Sequence, residues 1–369
     1  MRICIDIQAA VSQRAGVGRY TQQLVEHLGP LAGDDGLALF YFDFRRQGLP
    51  FAVPAADPRA VRWCPGRLIQ QAWKRLHWPP FDWFAGPADV YHFPNFAIPP
   101  LTRGKRVVTI HDMSFLRFPE FAEPRNLRYL SRVIHRTARE ADAIITDSAF
   151  SASEIRALLG VAPDRIHAIH LGVDPRCAPA APAAVAALRG RLGLERPYLL
   201  TVGTVEPRKN LPLLIEAFER MAAFDGDLVM AGMPGWKYAP ILERMRTSAR
   251  AARIRYLQYV PDDALPALYT GAEIFLLASH YEGFGLPPLE AMACGTPVVS
   301  STGGSLPEVL GDAAVLIDGC DAAHWAQSIG RVLADAGQRR DLSARGRRQA
   351  ARYGWQETAR KTWEVYRSV

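Results

Sequence analysis

The sequence predicts an α/β protein of two Rossmann-like, doubly wound domains facing a central cleft, and three observations predict it. Short apolar runs rich in Val and Ile alternate with longer helical patterns. The alternation occurs twice. Between the two series lies a stretch rich in proline and alanine.

The first series places strands at 2–7, 37–42, 90–93, 106–110 and 143–147, and the second at 198–202, 227–231, 254–257, 274–278 and 297–300. Runs apolar on both faces and separated by helices read as buried parallel strands in βαβ units. The break at 174–196 holds Pro175, Pro179, Pro182 and a string of alanines before Pro197, which predicts a linker at 175–196. The domains expected are therefore 1–174 and 197–355, followed by a closing helix at 356–369 with Trp363 and Tyr366 on one face. Ligands of such sheets sit beyond the C-terminal strand ends, so two facing domains make a cleft.

At 369 residues the chain is long for one core. Hydrophobic residues make up 49% and charged residues 22%, which excludes a disordered chain. Asp6 interrupts the apolar start MRICIDIQAA, which argues against a signal peptide. No apolar run approaches the ~20 residues of a membrane span. Cys4, Cys64, Cys177, Cys294 and Cys320 are scattered, without a Cys-x-x-Cys pair, so a reduced cytosolic protein is expected. The net charge of +7 suits nucleic acid, an anionic membrane face or a phosphorylated substrate. Placement of the charges has to choose among these.

The strongest local pattern is Gly203-Thr204-Val205-Glu206-Pro207-Arg208-Lys209-Asn210, directly after the strand at 198–202. Adjacent cations at a strand's C-terminal end can neutralise a diphosphate, arginine bidentately. Asn210 is placed to cap the helix through 213–221. Alone, the segment reads equally as an exposed basic turn. After the strand at 274–278 comes a run from Ser279 to Glu290 in which Gly283 and Gly285 allow the backbone close to a ligand. Pro287 and Pro288 suit the first turn of a helix, whose free N–H groups form an anion site. Glu282 lies in the turn before that helix and Glu290 one turn inside it. A carboxylate beside a phosphate loop is repelled unless it meets something else, and the hydroxyls of a sugar nucleotide supply that. Gly303-Gly304-Ser305-Leu306-Pro307-Glu308-Val309 repeats the strand–glycine–helix design. Three such loops at one sheet edge make one site.

EPRKN at 206–210, EGFGLPPLE at 282–290 and GGSLPEV at 303–309 together resemble the family-four retaining glycosyltransferases of GT-B fold. The resemblance spans most of the chain and is strongest in its C-terminal half. It implies a C-terminal helix closing back toward the N-terminal domain, an acceptor side in that N-terminal domain, and a sugar-nucleotide site in the C-terminal one. Arg208 and Lys209 would hold the diphosphate, Glu290 the ribose and Glu282 the donor sugar. Backbone N–H groups across Gly283, Phe284, Gly285 and Leu286 would meet the distal phosphate and sugar, beside Gly203. The base would lie near Gln258, Tyr259, Val260 and the Met233 loop. GVGRYT at 16–21, with Gly16 and Gly18, resembles the glycine loop that the family places opposite the diphosphate. As a dinucleotide fingerprint it is poor, because Thr21 takes the last glycine's place. His111, after the strand at 106–110, would bond a sugar hydroxyl or the leaving oxygen.

HDMSFLRFPEF at 111–121, with GVGRYT, resembles bacterial O-antigen and exopolysaccharide mannosyltransferases that use GDP-mannose. UDP-sugars stay open, since the base pocket cannot be read directly. The expected reaction moves a hexose to a hydroxyl of a saccharide or lipid-linked saccharide with anomeric retention. No carboxylate pair of the glycosidase kind is evident, which favours a front-face path in which the leaving phosphate takes the acceptor's proton. No cofactor and no metal are expected. Asp225-Gly226-Asp227 precedes its strand and faces the wrong end of the sheet, while Arg208 and Lys209 take the place of a divalent ion.

Two basic stretches lie in the acceptor half. Wound helically, 67–78 puts Leu68, Ile69, Trp73 and Leu76 largely on one side with Lys74 and Arg75 flanking, as an interfacial helix would. A second stretch carries Arg125, Arg128, Arg132, Arg136 and Arg139 at three- and four-residue steps. Both suit peripheral contact with an anionic membrane at the inner face of the plasma membrane, and both also suit a solvated helix face. Rival readings are a sugar-nucleotide epimerase, a pyridoxal-phosphate phosphorylase and a basic nucleic-acid-binding protein. The first lacks locatable catalytic carboxylates and histidines, the second a convincing lysine pocket. The third leaves the anion loops unused, so no nucleic-acid partner is expected.

Overall fold

Two parallel sheets organise the chain in the computed structural model, which describes residues 1–13 and 16–369. The strands are β1 (Arg2–Asp6), β2 (Gly36–Phe42), β3 (Ala56–Val61), β4 (Val90–Phe93), β5 (Lys105–Thr109), β6 (Ala143–Thr146) and β7 (Ile166–Ala168), then β8 (Tyr198–Val202), β9 (Asp227–Ala231), β10 (Ile254–Gln258), β11 (Ile274–Leu277), β12 (Val298–Ser301) and β13 (Val315–Ile317). The first sheet runs β3-β2-β1-β4-β5-β6-β7 and the second β10-β9-β8-β11-β12-β13. Both are doubly wound, as the alternation predicts. Their central strands are buried on both faces, as Ile3, Ile5, Val107 and Val108 show in one and Leu199, Leu200, Phe275 and Val298 in the other.

Three strands escape the sequence pattern, and all three are sheet edges: β3, β7 and β13. An edge strand has one unpaired side and need not be apolar throughout. β3 reads Ala-Asp-Pro-Arg-Ala-Val, and Pro58 is tolerated there because an edge position spares it a ladder donor. β7 and β13 are three residues each, too short to show alternation.

The chain divides into two compact units. One comprises Met1–Met113, Arg128–Gly172 and Trp355–Val369, the other Ser114–Leu127 and Val173–Gly354. The alanines of 175–196, read above as a linker, form the helix Pro182–Leu192 within the second unit. Alanine is the best helix former, Pro182 sits in the first turn, and Gly193 closes the helix in a left-handed conformation at φ +63°.

The C-terminal helix Trp355–Ser368 belongs to the first unit and packs on the helix Val17–Ala32. A buried chain of hydrogen bonds ties it to the sheet. The Tyr366 hydroxyl meets His92 Nδ1 at 2.6 Å, His92 Nε2 meets Thr109 Oγ1 at 2.8 Å, and Thr109 Oγ1 meets the Tyr20 hydroxyl at 3.1 Å. Gly172 is required here, because a Cβ would run into the backbone of Trp355. Burial, with a smaller contribution from His111, holds the His92 imidazole down at about 3, so it is neutral in the folded chain.

Tyr366→Phe leaves a buried His92 nitrogen unpaired and should cost about 1–3 kcal/mol in urea denaturation at neutral pH. The unfolded chain takes up the His92 proton first, near the ordinary value of 6.5. Stability is therefore expected to fall as pH drops below that value, by up to about 1.4 kcal/mol per pH unit from this group. Denaturation curves at successive pH values check the slope.

Candidate functional site

In the second sheet the strand order reverses between β8 and β11, the place where open parallel sheets bind ligands. The loops leaving these two strands carry the charged residues singled out above. His280 N–H donates to the Arg208 carbonyl at 2.9 Å, which fastens one loop to the other. Between them the Glu282 carboxylate is clamped. Lys209 Nζ donates to Oε1 at 2.6 Å, Ser279 Oγ to Oε1 at 2.5 Å and Arg208 Nη1 to Oε2 at 2.9 Å. Burial would push this carboxyl up, but the charges of Lys209 and Arg208 and the hydrogen bonds outweigh it and hold it down at about 2.

Glu206, which sequence reasoning left without a role, completes the cluster. Its Oε1 accepts from Arg208 Nη2 at 2.7 Å and Nε at 3.1 Å. Two cations are thus matched by two carboxylates. The cluster is a neutral, preorganised network rather than a bare basic turn, and its carboxylates fix how the two cations are aimed.

The glycine loop after β12 closes around the same carboxylate. Gly304 lies at φ +71°, and a Cβ there would strike the Glu282 backbone. Ser305 Oγ donates to the carbonyls of Glu282 and Phe284 at 3.1 and 3.0 Å. Gly283, Phe284 and Gly285 are buried, and Gly285, at φ +103°, opens the helix Leu286–Ala293. Glu290, inside that helix, is buried and accepts from the Tyr269 hydroxyl at 3.0 Å. Gly203, Met233 and Tyr259 follow β8, β9 and β10, with Met233 and Tyr259 exposed and Val260 buried. The sugar-nucleotide residues expected in the C-terminal half thus lie on loops and helix starts that follow strands of one sheet, whereas Gly16, Gly18 and His111 lie in the first unit.

Several details differ from expectation. Asn210 does precede the helix Leu211–Arg220, but it is left-handed at φ +51° and its side chain makes no cap, reaching Cys320 Sγ at 3.5 Å instead. Asp225 and Asp227, at the opposite end of the sheet, pair with arginines: Asp225 with Arg196 and Arg253, Asp227 with Arg253. Segment 111–121 is divided, its residues from Ser114 onward belonging to the second unit. There Phe121 stacks on His280 with centroids 5.0 Å apart, and Phe118 meets Tyr281 edge-on at 6.0 Å. Sequence spacing could not find these contacts, since they join residues more than 150 positions apart.

In the first unit, His111 gives both ring nitrogens to protein. Nδ1 lies 2.8 Å from Asp147 Oδ2 and Nε2 3.1 Å from the Pro94 carbonyl. Burial opposes its charge, but the Asp147 carboxylate and the Pro94 carbonyl outweigh that and raise it above its ordinary value. Gly16 opens the helix Val17–Ala32 at φ +58°. Gly18 instead serves packing, because a Cβ would collide with the carbonyls of Ala9 and Gln13.

The basic helix Gly66–Leu76 does not present the face expected. Trp73 turns inward and donates its indole N–H to the Pro79 carbonyl at 2.7 Å. Leu68 and Leu76 point outward, and Trp63, Trp78 and Trp83 are also exposed, Trp78 and Trp83 edge-on at 5.9 Å. Among the described residues no helix is long and apolar enough to cross a membrane.

Residues 188–349 match the family described as Glycosyl transferases group 1, and residues 14–176 match Glycosyltransferase Family 4. The O-antigen chain mannosyltransferase B of Escherichia coli is 34% identical, over 95% of this chain and 96% of that one. The chain belongs to glycosyltransferase family 4. This glycosyltransferase is also similar to the D-inositol 3-phosphate glycosyltransferase of Salinispora arenicola, 33% identical over 70% of this chain and 62% of that one. Anabaena HepE in complex with UDP-glucose shares its fold, GT-B, with a TM-score of 0.76 over the whole of both chains at 18% identity.

Removing Glu282 from this glycosyltransferase should deprive the buried Lys209 and the half-buried Arg208 of the carboxylate they share. Glu282→Ala is expected to lower unfolding free energy by about 3–5 kcal/mol. The ion pair's contribution is present above the carboxyl's ordinary value of 4.5 and should be lost as pH falls toward about 2. Urea denaturation of both proteins across that range reads out the difference.

Proposed function

We propose that this glycosyltransferase moves a hexose, mannose from GDP-mannose, to a hydroxyl of a saccharide or lipid-linked saccharide in surface polysaccharide biosynthesis, with anomeric retention and without a metal. The observation that carries the reading is the network of Glu206, Arg208, Lys209 and Glu282 at the reversal point of the second sheet. Arg208 and Lys209 take the donor's diphosphate, and their charge stabilises it as it leaves. Glu282 positions the sugar, Glu290 takes the ribose, and Met233, Tyr259 and Val260 border the base. Backbone N–H groups of Gly283 to Leu286, at a helix start, add to the anion's support. His111 would offer Nε2 to a hydroxyl in place of the Pro94 carbonyl.

Mannose is supported by the O-antigen mannosyltransferase likeness, and UDP-glucose stays the second reading because HepE was solved with it. Glu282, already committed to Lys209 and Arg208, is poorly disposed as a nucleophile, which supports a front-face path. The surface of Leu68, Leu76, Trp63, Trp78 and Trp83, beside the exposed Arg67, Lys74 and Arg75, supports contact with an anionic leaflet at the inner face of the plasma membrane.

Nucleotide release from GDP-mannose should exceed that from UDP-glucose, and EDTA should leave it intact. Arg208→Ala or Lys209→Ala should lower kcat by about 10²–10³-fold. Anomeric proton NMR of the product should show retention. In flotation, recovery with anionic vesicles should exceed that with neutral ones, and Trp78→Ser with Leu76→Ser should abolish the excess. Equal release from both donors would sink the GDP-mannose assignment, and metal-restored activity after EDTA the metal-free one.

A further inference from the structure

The first sheet also reverses its strand order, between β1 and β4. A cavity of about 380 Å³ lies beyond the carboxyl ends of those strands, lined by Asp6 at the end of β1 and by Pro94 and Asn95 just past β4. Neither His111 nor the Gly16 loop is part of its wall. A second cavity of about 560 Å³ adjoins it, and Gln8, Ser12 and Gln70 line both. Together they follow one side of the helix Gly66–Leu76.

The first cavity gathers groups suited to hydroxyls. Asp6 accepts the Gln8 backbone N–H through Oδ1 at 3.0 Å, which leaves Oδ2 for a ligand. Gln8 accepts the Phe42 N–H through Oε1 at 2.9 Å. That contact fixes the amide's orientation and leaves its NH₂ as donor. Trp73, Phe96 and Tyr129 add ring surface, and Phe96 is held at φ +47°, a conformation a bulky residue adopts only under constraint. Of the two cations in the wall, Lys74 lies over the Tyr129 ring at 4.7 Å, and Arg136 Nε is buried without a hydrogen-bond partner, 3.9 Å from Glu140. Asp6 opposes them, so the wall mixes both signs of charge rather than concentrating positive charge as an anion site does. Hydroxyl partners beside ring faces match a neutral pyranose, polar at its rim and apolar on its C–H faces. In the second cavity the Phe44 ring is 53% exposed, and the Asp43 carboxylate is already taken by Gln47, Gly48 and Arg62. An exposed ring beside polar groups is a stacking platform for a further sugar.

We propose that the two adjoining cavities form an acceptor site that reads at least two consecutive units of a neutral oligosaccharide, one against Asp6 and Gln8 and the next against Phe44. The transferase therefore extends oligosaccharides in preference to single sugars. This deepens the hexosyl transfer proposed above and rests on it.

Calorimetry with the full chain tests it, using mannose, α-mannobiose and α-mannotriose, and glucose, maltose and maltotriose. In one series affinity should rise at least tenfold from the monosaccharide to the longer members. Phe44→Ala should remove that rise, and Asp6→Asn should weaken every member of the series tenfold or more. Gln70→Ala, on the wall common to both cavities, should flatten the length dependence as Phe44→Ala does. Affinity flat with length in both series overturns the proposal, as does a rise that survives both Phe44→Ala and Gln70→Ala. GDP and UDP binding is measured separately on the wild-type protein. Failure to bind either removes the donor reading proposed above, whereas nucleotide binding with flat oligosaccharide affinity removes the two-sugar site alone.

Discussion

The buried carboxylate of Glu282 is the constraint on which the second unit's ligand face is built. A lone carboxylate at that depth would shed its charge, and Lys209, Arg208 and Ser279 prevent this. To reach it they must come from loops after two different strands, so the ion pair sets the spacing of those loops. Gly304 then packs against the backbone of Glu282, and Ser305 bonds its carbonyl. Three loops are thereby locked around one charge. The same lock changes what the cations can do. Under the function proposed, a diphosphate would meet Arg208 and Lys209 already oriented and would compete with carboxylates rather than with water for them.

Both sheets follow one design rule at different chemical settings. Each reverses its strand order once, between β1 and β4 or between β8 and β11, and each carries its richest array of side chains just beyond that point. In the second sheet the array is ionic and densely hydrogen-bonded. In the first it is a carboxylate, two cations, amides and rings around open volume. The difference suits a charged ligand in one and a neutral one in the other.

Much of this was legible in the sequence because central strands are apolar on both faces and because EPRKN and EGFGLPPLE keep strand ends and helix starts adjacent in the chain. What stayed illegible has physical causes. β3 hides behind Pro58 because edge strands escape the demand for burial. The alanines of 175–196 suit a helix as well as a linker, and only packing decides. Trp73 was assigned to an outer face by helical spacing, yet its indole found the Pro79 carbonyl inside. Gly18 looked like part of a ligand loop, whereas the carbonyls of Ala9 and Gln13 explain its missing side chain. Glu206 sat in plain view within EPRKN, but a carboxylate's partner cannot be read from a motif that lists it beside two cations.

The helix Trp355–Ser368 completes the first unit although the chain reaches it only after the whole second unit. During synthesis the N-terminal sheet therefore emerges from the ribosome with the groove that takes Tyr366 empty and His92 lacking its hydroxyl partner. It must wait as an unfinished intermediate while the second unit is made and folds. The order of translation is thus the reverse of the order in which this core is sealed, and that interval is when the nascent chain is most exposed to aggregation and most in need of a chaperone.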